Sequence, residues 1–256
     1  MEKQMAAENN PEVFIQDVPY RSNTFTKEIT DGDDLKLEER LRETDVDGES
    51  GSFYPPKAVH RLFTRERVLT QLRSYKALPD GNRYVDLISV NEAEAGPTSR
   101  YSKIFAILVL IGKGEAIAEF VNARLSDETL PFYRYDDYPN AKRQHYLFLK
   151  NSDTPIMALK TWAPHQRESF DRTQRMLLVP YLELGPGNMV QEYELSDRDI
   201  LPWCRSKSGD PGAPNPSMVE GAYGKVYCVD IDRDCHAFHQ VLQTVKLFLT
   251  GHIFVL

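Results

Sequence analysis

Val219-Glu220-Gly221-Ala222-Tyr223-Gly224-Lys225-Val226-Tyr227 sets two glycines three residues apart within a β-like stretch. Glycine carries no Cβ, so a turn built on this spacing can bring its backbone close to whatever lies beneath it. Tyr227-Cys-Val-Asp-Ile231 continues as an alternating strand, which makes the stretch a hairpin. Other chemistry-bearing residues are spaced less tellingly. Cys228, Cys235, His236 and His239 form Cys-x6-Cys-His-x2-His. Zinc sites pair ligands two to four residues apart and then separate the pairs, so these four are expected to pack or lie in a loop. Asp45-x-Asp47-Gly48 opens like a calcium loop but lacks the remaining ligand positions. His60, His145 and His165 are scattered, and no Gly-x-Ser-x-Gly elbow supplies a nucleophile. Asp136-Asp137 lies among tyrosines and reads as a solvated loop rather than an acid/base pair.

The glycine stretch resembles the glycine-rich loop that opens a protein-kinase catalytic domain, Gly-x-Gly-x-x-Gly-x-Val. Gly221, Gly224 and Val226 match, and Tyr223 stands where an aromatic tip residue is common. Val219 takes the first glycine position, a departure that narrows the approach to phosphates. The resemblance implies that Val219, Gly221, Ala222, Tyr223, Gly224 and Val226 lie over a nucleotide, amides toward the phosphates and Val226 on the base. Without it, the same residues read as an ordinary hairpin with a glycine turn.

Upstream, Tyr101-Ser-Lys-Ile-Phe-Ala-Ile-Leu-Val-Leu-Ile-Gly112 precedes a helix containing Glu115-Ala-Ile117. Phe170-x-x-x-Gln174-x-x-Leu177-x-x-Pro180 and Ile200-Leu-Pro-Trp203 follow. Together with the glycine stretch these are similar to a fungal family of protein-kinase-like proteins, in which a helical leader precedes the kinase domain. The resemblance runs from about residue 55 onward and attaches no chemistry to the leader. A kinase next places a lysine on its third strand, and Phe254-Val-Leu256 resembles the residues directly before it, so the chain is expected to stop one residue short. Lys246 is the rival candidate, but Val245, Leu247 and Phe248 read as part of an insert between the second and third strands.

Neither a His-Arg-Asp catalytic loop nor an Asp-Phe-Gly occurs in the 256 residues. The resemblance therefore implies a Ser/Thr-type kinase-like parent using ATP and magnesium, with this polypeptide expected not to turn over. The alternatives are a helical interaction module carrying a vestigial kinase start, or a truncated product without a role. A protein partner is expected for the helical region, and neither nucleic acid nor membrane.

Charge supports the last point. The net charge is −7, yet residues 1–50 hold 14 acids and 6 bases, so the remainder is close to neutral and offers no surplus of cations for a phosphate backbone. The longest apolar run, Ile104–Ile111, has eight residues, well under the roughly 18–20 that span a bilayer. Three cysteines cannot form a disulfide framework, and an intracellular, reducing location, cytoplasmic by default, is expected.

The elements that must position the hairpin follow from periodicity. Residues 1–52 read as a disordered acidic tail with one short helix over 33–43, where Leu37 and Leu41 lie four apart. A mainly helical domain is expected over 53–204. Pro56 suits a first turn, and Val59, Leu62, Phe63, Leu69, Leu72 and Tyr75 keep helical spacing. Tyr84–Val90 fits either helix or strand. Ser102–Ile111 is apolar all round, as in a buried helix, and Gly112-Lys-Gly114 turns it into a second helix with Ile117, Phe120, Val121 and Leu125 on one face. The cluster Phe132, Tyr133, Tyr135 and Tyr138 is expected to pack on this core, and Ser169–Leu178 forms a further helix. Residues 205–217 are a Pro/Gly/Ser linker, and 218–256 the start of a kinase domain. The fold class is α+β, a helical domain followed by an incomplete β-unit whose edge, left unpaired, predicts loose packing over 218–256.

Overall fold

The computed structural model describes residues 36–78, 80–90, 99–134, 146–183, 193, 195–204, 219–221, 224–237 and 252–255. All belong to one compact unit, Asp33–Leu256. The fold is α+β and mainly helical.

Its first helix, α1 (Leu37–Glu43), buries Leu37, Arg40 and Leu41, while Glu39 reaches back to the Lys36 amide. Then β1 (Val46–Asp47) and β2 (Ser52–Phe53) pair antiparallel, Val46 opposite Phe53. Phe53 is fully buried. Residues 36–52 therefore belong to the folded body, and the expected tail of 1–52 is corrected to end before them. Two leucines four apart bury a helical face even amid charge. Residues 1–35 lie outside the described residues.

The apolar spacing over 56–75 resolves into two helices, α2 (Pro56–Leu62) and α3 (Arg65–Arg73). Pro56 opens the first, where its missing N–H costs nothing. Thr64 starts the second by accepting a hydrogen bond from the Arg67 amide at 3.4 Å. Tyr84–Val90, undecided from sequence, falls mostly within helix α4 (Asn82–Ile88).

The centre of the body is α5 (Ser102–Leu110), with every residue from Ile104 to Leu110 buried. A helix apolar on all sides can only be covered on all sides, and α1, α4, α6 (Ile117–Asn122) and α7 (Pro164–Leu177) pack against it. Asp127 holds its N-terminus. One carboxylate oxygen accepts from the Ile104 amide at 2.9 Å, the other from the Lys103 amide at 3.0 Å and the Ser102 hydroxyl at 3.2 Å. At the other end Arg42 donates to the Leu110 carbonyl at 2.9 Å, and Gly112 at φ 68° turns the chain away.

The helix α7 begins five residues earlier than its apolar pattern indicates, because Pro164 suits the first turn. Phe170 stacks on Phe132 at 5.4 Å and on Phe120 at 5.7 Å, with Trp162 edge-on. Of the aromatic loop, Phe132 is buried and Tyr133 is 36% exposed, while Tyr135 and Tyr138 lie outside the described residues.

A second sheet is built on β5 (Gly224–Ile231). It pairs antiparallel with β4 (Val219–Gly221), β6 (His252–Val255) and β3 (Trp203–Cys204). The linker 205–217 lies outside the described residues.

Candidate functional site

The hairpin reads directly from the backbone register. Val219 stands opposite Val226, Glu220 opposite Lys225, and Gly221 opposite Gly224. Only Ala222 and Tyr223 lie between the paired glycines, and these two fall outside the described residues. The Gly221–Gly224 pair is the last of the ladder between β4 and β5. Of the six candidate lid residues, Val219, Gly221, Gly224 and Val226 are brought onto two adjacent strands. Among the described residues no group of three or more His, Cys, Asp or Glu could hold a metal ion.

Beyond the tip, β5 is eight residues long and partnered along much of its length. Tyr227 to Asp230 pair with Val255 to His252, so the segment read as a third strand does lie against the second. Asp230 also faces Cys204, and Ile231 faces Trp203. Strand β3 thus ties β5 to the residues that precede the linker, a pairing the sequence did not signal.

The loose packing expected over 218–256 is corrected for its middle part. Ile231–Ala237 is fastened to the helical body. The Asp232 amide donates to the Pro202 carbonyl at 3.1 Å, the Leu182 amide to Cys235 at 2.8 Å, and the Ala237 amide to Leu182 at 2.9 Å. A 3-10 turn, Arg233–Cys235, packs on α2. There Arg61 grips the Asp234 carboxylate with both terminal nitrogens, Nη1 to Oδ1 at 3.3 Å and Nη2 to Oδ2. Fully buried, Cys235 packs with Phe53 and Val179, flanked by Val46, Ile200 and Ile231. Burial pushes its thiol well above the ordinary range, reinforced by the Asp232 carboxylate, so it stays protonated at neutral pH. Burial also raises the Asp232 pKa, against the Asp234 amide that donates to it at 2.9 Å.

This environment explains the remaining candidates. Cys235 sits in an apolar socket rather than a ligand shell. Cys228 lies on β5 opposite Phe254, and His239 lies outside the described residues. His60 and His165 are exposed on α2 and α7, while His145, Asp136, Asp137 and Lys246 lie outside the described residues. Two of the upstream residues, Gln174 and Phe170, are packed into the core. Gln174 is fully buried, accepting from the Phe132 amide at 2.8 Å and donating to the Phe132 carbonyl at 2.7 Å. Phe170 forms the aromatic stack beside it.

No family model matches the chain, and neither does any curated protein or solved structure. Among the described residues no helix is long and apolar enough to cross a membrane.

Proposed function

We propose that this chain is the N-terminal portion of a protein-kinase-like protein, its helical body leading into the glycine hairpin that serves as a phosphate lid. The observation that carries the reading is the register of β4 and β5, with Gly221 opposite Gly224. Strand β6, antiparallel on β5 and ending in Phe254-Val255, adds support, because the resemblance requires a third strand there. In the parent, ATP with magnesium supplies the phosphoryl group, and serine or threonine in a protein receives it. The hairpin's part is to present backbone amides to phosphate oxygens and to exclude water above them. Phosphoryl transfer also needs a lysine, a base and metal-binding carboxylates, which none of the motifs within the 256 residues provides. The chain on its own is therefore a lid without turnover.

Calorimetry with ATP and magnesium tests this. The chain is expected to bind no tighter than about 1 mM, since a few amide contacts supply only about 4 kcal/mol. Micromolar binding, abolished by Gly221→Asp, would overturn it by showing a nucleotide site already complete.

A further inference from the structure

The glycine hairpin is one end of β5, and the other end is held at five points by the residues that precede the linker. Strand β3 pairs with Asp230 and Ile231. The Asp232 amide donates to the Pro202 carbonyl, while Leu182 donates its amide to the Cys235 carbonyl and accepts from the Ala237 amide. Cys235 fills a socket made by Phe53 and Val179. Arg61 of α2 closes the turn from outside through Asp234. Hydrogen bonds in a ladder transmit a displacement along the strand, because neighbouring pairs share one backbone. Ile231 and Gly224 are the two ends of that one strand.

We propose that the helical leader positions the glycine hairpin, with Arg61 and the Cys235 socket as the positioning residues that act on it through β5. The inference rests on the lid reading only for the name of what is positioned; the mechanical link stands on the contacts. It gives the leader a task that its sequence motifs do not reveal: it sets the height of the lid, and anything that loosens α2 from the 233–235 turn frees it. The ion pair is the adjustable part. The Arg61 side chain is 55% exposed, and its partner 26%. A half-exposed pair contributes little to global stability. It can therefore open while the core remains folded.

Two probes on the full chain read the link without nucleotide. Cys235, with no exposed surface, is alkylated only when its socket opens, and amide exchange reports Gly224–Ile231. Arg61→Glu sets a third acid beside Asp234 and Asp232. It is expected to raise both Cys235 alkylation and β5 exchange by about five- to tenfold, with α5 amides and thermal midpoint unchanged. The swap Arg61→Glu with Asp234→Arg is expected to restore both. Unchanged β5 exchange in Arg61→Glu, despite faster Cys235 alkylation, would overturn the link by separating anchor from strand. No change in either would overturn it as well. Failure of the lid reading looks different. At millimolar ATP–magnesium the Gly221 and Gly224 amide resonances would not move, while the exchange results would stand.

Discussion

Gln174 carries a polar contact that the core cannot replace. Its amide satisfies both the N–H and the carbonyl of Phe132, and it also meets the Asp171 carboxylate at 2.9 Å. Gln174→Leu keeps the volume but orphans two buried backbone groups, so a loss of about 2–4 kcal/mol is expected in urea denaturation; a loss under about 1 kcal/mol would show that the loop finds other partners. The Gln174 spacing is visible in the sequence, but its partner is not, because Phe132 lies 42 residues away. Asp232 gives a pH test. Burial raises its folded pKa above the ordinary 3.8, so the folded chain holds that proton more tightly. Its charge therefore costs stability at neutral pH, and the cost is removed as pH falls through the folded value toward the unfolded one. Asp232→Asn keeps an oxygen for the Asp234 amide and abolishes the charge. The variant should melt higher than the parent at pH 7, with the gap closing toward pH 4. A parent that melts higher at pH 7 and loses its lead in acid would reverse the sign.

At the scale of elements, legibility follows the apolar pattern and fails where a break is made by polar detail. The buried helix α5 and its stop at Gly112 are plain in the sequence, since an unbroken apolar octet has no solvent face. The interruption between α2 and α3 is hidden because Leu62 and Phe63 are both buried and keep the helical spacing across it; only the Thr64 cap reveals it. Strand β3 is hidden too: two residues are too short for a period, and its partner lies beyond the linker. The β1–β2 hairpin reaches that strand through Gly48, which bridges to Cys204. A Cβ on Gly48 would come within 2.8 Å of the Phe53 ring and 2.9 Å of the Trp203 carbonyl. Gly48→Ala should therefore destabilise by about 1–3 kcal/mol. It should raise Cys235 alkylation, since Phe53 lines that socket. Unaltered stability and alkylation would mean that the hairpin contributes nothing to the anchor.

For the molecule as a whole, the sequence separates a helical domain from a β-unit by a linker, whereas the β-unit returns to the helices through β3, Leu182 and α2. Periodicity describes each segment by itself and carries no signal for a return across the linker, which is why the anchor was not legible while the hairpin was. The functional claim stands on that hairpin and on strand β6 paired beside it. The most direct test is the reading frame of the parent transcript, sequenced through and past the codon for Leu256. The expected result is a lysine on the third strand, followed downstream by His-Arg-Asp and then Asp-Phe-Gly. A frame that carries none of these three would contradict the kinase-like assignment and leave the helical body with its hairpin as a binding module.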